Sequence, residues 1–271
     1  LTTEIILSKD EDITEEETFG SSEGRCGNNA YWSLSSDGML RISGTGAIYD
    51  YEIYPISERA PWYSERDAIK NIFIEDGITI IGTNVFCDCD KWKRCYVPDS
   101  VTEIKKSENQ FYSVKEESVF LCGHTQIPSS WGSNWSQKGT VATGVTREQA
   151  IFWMNLGKEA TRIAIPDGVQ EIFPYAFQEC EKLEYIDIPG SVTTLRKKAF
   201  AGTSLRMIFI PETVTTIYAD RYASPFYDCP SDLVCYCESD TEREGWQEYW
   251  NYTFRDYLRV YYGISREEYD F

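Results

Sequence analysis

Hydrophobic and polar residues alternate along short stretches of this chain, and the stretches recur. Within residues 184–217 the phrase I-x-I-P-x-x-V-T-T-[IL] occurs twice, and looser copies occupy 95–104 and 163–172. Ile186 and Ile188 are two positions apart, the spacing that puts side chains on one face of a β-strand. The proline that follows ends the strand because it has no N–H to donate. The phrase therefore predicts a short strand, a turn, a second short extended piece, and a helical turn at the next Ala-Phe pair.

The copies recur at a nearly constant spacing. Glu75 and Pro98 are 23 residues apart, as are Pro166 and Pro189, and Pro211 follows Pro189 by 22. A period in the twenties is typical of a solenoid, whose coils bury their apolar faces on one another. A buried Ile, Leu or Phe contributes about 1.5–3 kcal/mol, whereas ordering each residue costs about 1–2 kcal/mol. We therefore expect each coil to depend on its neighbours for stability.

Cysteines occupy interior positions of the repeat. Cys89, Cys180 and Cys229 each come three residues after a phenylalanine, and Cys95 takes the place of an isoleucine in a later copy. We expect these four to be buried, reduced, structural thiols, since cysteine is among the most buried residue types. Disulfides are the alternative, although nine cysteines is an odd number and complete pairing within the chain is impossible. Cys87 is expected to be exposed.

A longer unit is also duplicated. The pattern F-Y…V-x-x-C…W-x-x-x-W begins at Phe111 and again at Phe226, an offset of 115 residues. It ends each array of repeats, so we predict capping elements that place two tryptophans over the last coil: Trp131 with Trp135, and Trp246 with Trp250. Further on, GVTREQAIF (144–152) matches GISREEYDF (263–271) at an offset of 119. The first copy leads into a new array, so we hypothesise that the chain is a piece of a longer modular protein or has lost its last module.

Four segments follow from these patterns. Residues 1–25 are acidic and polar, which is typical of a disordered leader. Residues 26–68 contain alternating apolar residues around a Ser-Asp-Gly turn and predict a β-hairpin that caps the first array. Residues 69–152 and 153–271 are predicted to be two arrays, each with its tryptophan-bearing cap. The Ala-Phe pair is missing from 105–118, so that coil is expected to be distorted.

The repeat resembles that of a known family. The stretch IPDGVQEIFPYAFQECEKLEYIDIPGSVTTLRKKAF (165–200) is similar to the BspA-like leucine-rich repeat, and 26–51 is similar to the N-terminal β-rich segment of such proteins in gut anaerobes. The resemblance covers 26–271 and implies a β-rich leucine-rich-repeat solenoid with short parallel strands, short helical turns and a period of 22–23 residues. It also implies an extracellular or cell-surface location. Some members bind host matrix proteins or mediate adhesion, and no invariant site carries over to this sequence.

Side chains that point away from the core of a solenoid form a continuous face, and such faces bind proteins. Strand alternation places two neighbouring columns on this face. From them we take eight candidate ligand-face residues: Phe73, Arg94, Tyr96, Arg162, Tyr185, Asp187, Met207 and Phe209. Aromatic residues and arginine dominate binding hot spots. The alternative is that these side chains cover each other or are shielded by the N-terminal segment or a loop.

Charge and composition exclude several classes of function. The net charge of −18 argues against nucleic acid and against an anionic membrane surface. No apolar run reaches the roughly 18 residues of a membrane span, and no signal peptide stands at Leu1. Cys122 and the one histidine, His124, are two residues apart, but the duplicate of Cys122 has a serine in place of the histidine. We therefore expect no catalytic, metal or cofactor site.

These observations predict a non-enzymatic, secreted or cell-surface binding module. A protein partner is expected, with adhesion to host or matrix proteins as the role that the resemblance implies. One alternative is a carbohydrate-binding module that uses the aromatic residues of 246–262. The other is a passive stalk of a larger surface protein. The identity of the ligand and the oligomeric state stay open at this point.

Overall fold

The computed structural model describes residues 22–106, 111, 114–115, 118–131, 139–157, 159–178 and 180–269. These residues divide into two compact units, here called the N-terminal unit (22–154) and the C-terminal unit (155–269). Both are built mainly from short parallel strands, as the repeat pattern predicts.

Three antiparallel strands begin the N-terminal unit: β1 (Ser22–Arg25), β2 (Gly27–Leu34) and β3 (Met39–Ile48). Trp32 pairs with Ile42 and Leu34 with Leu40 on either side of the predicted turn, which confirms the hairpin. Residues 22–25 do not belong to a disordered leader, so that prediction is wrong for them: their backbone is paired with β2. Residues 1–21 lie outside the described part of the chain.

Parallel strands continue from β3. The first sheet adds β4 (Asn71–Ile74), β6 (Arg94–Val97), β8 (Val119–Cys122) and β9 (Thr140–Thr143). The second extended piece of the coils forms β5 (Ile78–Ile81) and β7 (Glu103–Ile104), which pair with each other and, through β5, with β3. Among the described residues of this unit, the helical segments are three 3-10 turns and one α-helix: Ile56–Glu58, Tyr63–Ala68, Ser129–Trp131 and α1 (Arg147–Met154). Much of the coil predicted to be distorted, 105–118, lies outside the described residues.

The C-terminal unit repeats this plan in three small parallel sheets. The first extended pieces form β10 (Arg162–Ala164), β12 (Tyr185–Asp187), β14 (Met207–Ile210), β16 (Val234–Cys237) and β17 (Arg259–Tyr262). The second pieces form β11 (Glu171–Ile172), β13 (Thr194–Leu195) and β15 (Thr216–Ile217). Residues one repeat apart pair directly, so that Ile163 lies opposite Ile186 and Ile172 opposite Leu195.

Phenylalanine rings stack from coil to coil in the interior. Phe177, Phe200 and Phe226 are fully buried, with ring centres 5.4 and 5.5 Å apart and planes within 9° of parallel. The ring of Trp250 closes this ladder against Phe226 at 6.5 Å. Trp246 and Trp131 are also buried. Trp135 lies outside the described residues.

All nine cysteines are buried thiols. This confirms the prediction for Cys89, Cys95, Cys180 and Cys229. The expectation that Cys87 is exposed is wrong, because only 8% of its surface is accessible. Burial in an apolar interior disfavours the thiolate and raises the pKa of Cys229 to about 11.

Candidate binding face of the repeat sheets

The candidate ligand face is divided by the structure into covered and accessible parts. Phe73, Tyr96 and Phe209 keep only 1–3% of their surface accessible, so the expectation that they are exposed is wrong. The other five are half-buried (Arg94, Tyr185, Met207) or exposed (Arg162, Asp187). The covering element is the one that the duplication repeats, 144–152 in the N-terminal unit and 263–271 in the C-terminal unit, here called the closing segment.

In the N-terminal unit the closing segment forms α1 and brings Arg147 onto the sheet face. The guanidinium carbon of Arg147 lies 5.6 Å from the Phe73 ring centre, and that of Arg41 lies 5.1 Å from it. Both arginines pair with the Glu75 carboxylate, with Arg147 Nε 3.0 Å from Glu75 Oε2. The ring of Tyr96 packs beside Phe73 at 4.9 Å. One carboxylate and two arginines therefore fix the helix over the aromatic pair.

In the C-terminal unit Arg266 occupies the corresponding place. Its guanidinium carbon lies 5.0 Å from the Phe209 ring centre, and its Nη1 lies 2.7 Å from Asp187 Oδ1. Its Nη2 also donates to the carbonyl oxygen of Ile188. The Tyr269 ring then packs on Phe209 at 5.0 Å and on Tyr236 at 5.4 Å. Each closing segment thus places an arginine, paired with a carboxylate, over a phenylalanine ring of the strand face.

Both closing segments begin with a capping box, in which a hydroxyl residue and the residue three positions later exchange hydrogen bonds. The Thr146 N–H donates to Gln149 Oε1 at 3.1 Å, and the Gln149 N–H donates to Thr146 Oγ1 at 3.2 Å. The Ser265 N–H donates to Glu268 Oε2 at 2.9 Å, and the Glu268 N–H donates back to Ser265 Oγ at 3.3 Å. This motif fixes the direction in which each arginine leaves the backbone.

The covered tyrosines lie in a desolvated environment. Burial raises the pKa of the Tyr96 phenol above its usual value, with a further contribution from the nearby carboxylates of Asp76 and Asp99. Burial likewise raises the pKa of Tyr269, the residue that the closing segment itself contributes. A phenol that is withdrawn from water cannot meet a ligand without displacement of the segment above it.

An accessible row runs beside the covered part of the C-terminal unit. Strand alternation puts Arg162, Tyr185, Met207, Val234 and Arg259 on this row. Strand pairing joins Arg162 to Tyr185, and it joins Met207 through Val234 to Arg259. The guanidinium carbon of Arg162 lies 5.3 Å from the Tyr185 ring centre. At the end of the neighbouring column, the 43%-exposed Tyr261 stacks on Tyr236 at 5.5 Å. The row itself is here called the open row, and it consists of Arg162, Tyr185, Met207, Val234 and Arg259.

Arg147 and Arg266 were absent from the sequence-based candidates, although their segments were recognised as duplicates. The signal was the repeated [ST]-R-E at an offset of 119. A duplicated motif outside the repeats indicates a shared role, and the contacts of both arginines show that this role is to cover the face. Ser100 and Ser191 were also missed: each accepts from the Gly of the preceding coil's turn and donates to the next carbonyl.

The surroundings of Cys122 and His124 are typical of a structural role rather than of a nucleophilic pair. The carbonyl oxygen of Val101 accepts from His124 Nε2 at 2.9 Å, and the Trp131 ring packs against the imidazole at 5.4 Å. Burial raises the pKa of the Cys122 thiol to about 11, so the thiol is protonated at neutral pH. A nucleophilic cysteine needs the opposite shift. Across the described ranges, no group of three or more His, Cys, Asp or Glu residues could hold a metal ion. Nor do those ranges contain a helix long and apolar enough to cross a membrane.

Comparison with known proteins places these coils in a described class. The model of the BspA type leucine rich repeat region matches 58–132 and 149–231, with six copies of the repeat. These ranges amount to more than half of the chain. Comparison with curated proteins gave no match.

Three crystal structures of bacterial repeat proteins are similar to this chain. A leucine-rich repeat protein from Eubacterium ventriosum is 23% identical, over 82% of this chain and 74% of that one, with a TM-score of 0.31. A leucine rich cell surface protein from Faecalibacterium prausnitzii is 19% identical, over 80% of this chain and 55% of that one, with a TM-score of 0.33. A leucine-rich repeat protein from Bacteroides ovatus is 17% identical, over 87% and 70%, with a TM-score of 0.33.

Proposed function

Because the chain belongs to the BspA-type leucine-rich repeat family, we propose that it is a non-enzymatic binding module of a bacterial surface or secreted protein. Its expected partner is another protein, with a host or matrix protein as the class that the family suggests. The proposed contact surface is the open row of the C-terminal unit.

The observation that supports this proposal is the composition of the open row. Arg162 and Arg259 are exposed, and Tyr185 and Met207 are partly accessible. Arginine, aromatic residues and methionine are the types enriched in protein interfaces. The neighbouring Phe209 of the same unit is covered by the closing segment, so it would not touch the partner directly.

The N-terminal unit offers less for such a contact. The positions that correspond to the open row are Met39, Asn71, Arg94, Val119 and Thr140, joined by strand pairing. None of them is fully exposed, and Val119 is buried. We therefore assign the proposed partner to the C-terminal unit.

A binding screen against immobilised matrix proteins tests this function. We expect the double variant Tyr185→Ala and Arg259→Ala to weaken binding by at least about tenfold, since a truncated hot-spot residue costs about 2 kcal/mol or more. The control is Tyr31→Ala, which removes an exposed tyrosine from the N-terminal hairpin. Binding that is equal in both variants would contradict the assignment, and a screen without a binder would favour the stalk alternative.

A further inference from the structure

We propose that the cap of the C-terminal unit carries a second, separate binding site, an aromatic platform for neutral glycans. The platform consists of Tyr249, Tyr252, Phe254 and Tyr257, here called the cap-loop platform. It shares no residue with the open row. A protein partner and a glycan can therefore be tested independently, and either proposal can fail alone.

The loop carrying this platform is four residues longer than its counterpart in the internal duplicate. In the sequence of the N-terminal unit, Trp135 comes five residues before β9, whereas Trp250 comes nine residues before β17. The four extra residues lie in 251–258, which carries three of the four platform residues. Because the shorter version ends the other array, closing the solenoid does not require this aromatic loop.

Contacts among the three tyrosine rings of the platform produce one connected cluster. The Tyr252 and Tyr257 ring centres are 5.0 Å apart, and the Tyr249 ring lies 6.3 Å from Tyr257 with planes 19° from parallel. The Phe254 ring packs on the Tyr227 ring at 5.2 Å. Tyr257 and Phe254 still expose 54% and 47% of their surface. The tryptophans of the same cap, in contrast, are buried.

The loop holds these rings in place with its own hydrogen bonds. The Thr253 side chain is fully buried, and its N–H and Oγ1 both donate to the carbonyl oxygen of Asp256 at 2.9 and 3.0 Å. The Leu258 N–H donates to the Asn251 carbonyl at 2.8 Å, and the Tyr252 hydroxyl donates to the Phe254 carbonyl at 3.0 Å. A preformed surface binds with less loss of conformational entropy.

Backbone conformation also marks two of the platform residues. Tyr249 and Phe254 have φ angles of 67° and 78°, in the left-handed region that L-residues with large side chains rarely adopt. Such conformations persist where the surrounding structure imposes them, and they cluster at ligand-binding sites. The loop therefore keeps two aromatic residues in a costly conformation and leaves their neighbours exposed to water.

The chemistry of the platform favours a neutral sugar. The face of an aromatic ring carries partial negative charge, and it attracts the weakly positive C–H bonds on the flat side of a pyranose. Nearby carboxylates of Glu248 and Asp256, together with the tyrosine hydroxyls, provide partners for sugar hydroxyls. The loop's own arginine, Arg255, lies 4.0 Å from Asp228. With these acidic neighbours and a chain charge of −18, an anionic glycan would be repelled.

Affinity electrophoresis of the whole chain tests this proposal. The native gels contain soluble mannan, β-glucan or xylan as neutral polysaccharides, or heparin as the anionic one. We expect at least one neutral polysaccharide to retard the protein. Tyr257→Ala and Phe254→Ala should each weaken this binding by about tenfold, whereas Tyr257→Phe, which keeps the ring face, should retain it. Tyr31→Ala serves as the matched control on an exposed tyrosine outside the platform.

Three results would overturn the proposal: no retardation by any neutral polysaccharide, equal retardation of the wild type and both alanine variants, or retardation by heparin alone. The thermal unfolding midpoint of each variant is measured in parallel. Because both replaced rings are about half exposed, we expect these midpoints to stay close to that of the wild type. Retention by Tyr257→Phe separates loss of the ring face from a general disturbance of the loop.

Discussion

The guanidinium carbon of Arg266 lies 5.0 Å from the centre of the Phe209 ring. Arg147 has the same relationship to Phe73 at 5.6 Å, and the two arginines are equivalent positions of the duplicated closing segment. The chain therefore contains two closing segments, and the arginine of each lies over an aromatic residue of the preceding repeat face. What remains for a partner is the part of the face that these segments leave accessible.

Replacing Arg266 with alanine is expected to loosen the closing segment of the C-terminal unit. The cation-π contact is worth about 0.5–1 kcal/mol at an exposed site. The pair with Asp187 adds only a fraction of that because both side chains are largely in water. We therefore expect the free energy of unfolding to fall by about 1 kcal/mol, measured by urea titration. Arg255→Ala, whose pair with Asp228 spans 4.0 Å at the surface, is the control and should change little. Equal losses in both variants would contradict this account.

Replacing Phe200 with alanine removes the middle ring of the interior stack. Phe200 is fully buried between Phe177 and Phe226. A Phe→Ala change in a packed core costs about 3–5 kcal/mol, because a cavity remains. The measurement is the urea midpoint relative to Tyr222→Ala, a change at an exposed ring. A loss below about 1 kcal/mol would mean that the stack is not a continuous core.

The left-handed backbone conformation of Lys198, in the turn that precedes Phe200, can be tested by substitution. Its φ of 55° is left-handed, and its Nζ lies 4.8 Å from the Tyr227 ring and 5.5 Å from the Tyr175 ring. Lys198→Ala and Lys198→Gly both remove the amine, but only glycine adopts this φ without strain. We expect the glycine variant to be about 1 kcal/mol more stable than the alanine variant. At the preceding Lys197, which is not among the positive-φ residues, the order should be reversed. The same order at both sites would contradict the assigned backbone conformation.

Alkaline pH should destabilise the chain through its buried thiols. Burial raises the folded-state pKa of Cys229 to about 11 and that of Cys237 to about 12, from an ordinary value of 9.0. Below pH 9 these thiols are protonated in both states, so their contribution to stability is fully present. Above pH 9 the unfolded chain loses the protons first, and stability falls until the pH passes the folded pKa.

The expected slope between pH 9 and 10 is a loss that approaches about 1 kcal/mol per pH unit for each such thiol. Urea titrations of the wild type and Cys229→Ala measure it. The variant should show a shallower slope above pH 9 and the same slope as the wild type between pH 6 and 8. Identical slopes above pH 9 would show that Cys229 is ionised equally in both states.

The repeat and its interior were predictable because their physics is local and periodic. Ile186, Pro189 and Phe200 each recur at the period of one coil, and one-dimensional stacking turns a fixed period into contacts between neighbours. The same register predicted the buried thiols. The burial of Cys87 was not predicted, because Cys87 is not at a position that recurs with the period of the coil.

The accessible face was only partly predictable, because its cover comes from outside the repeats. Strand alternation correctly placed Phe73, Tyr96 and Phe209 on the side of the sheet opposite to the coil interior. Whether that side meets water depends on Arg147 and Arg266, which are 74 and 57 residues further along the chain than Phe73 and Phe209. Contacts at such separations leave no periodic signal in one sequence.

Hydroxyl-radical footprinting with mass spectrometry tests the covered face most directly, because it reports the solvent accessibility of individual side chains in solution. We expect Phe73, Tyr96 and Phe209 to be protected, while Tyr257 and Tyr261 are oxidised. In Arg266→Ala we expect Phe209 to become reactive and Phe73 to stay protected. Oxidation of Phe73, Tyr96 and Phe209 in the wild type, at rates close to that of Tyr261, would contradict the covering role of the closing segments.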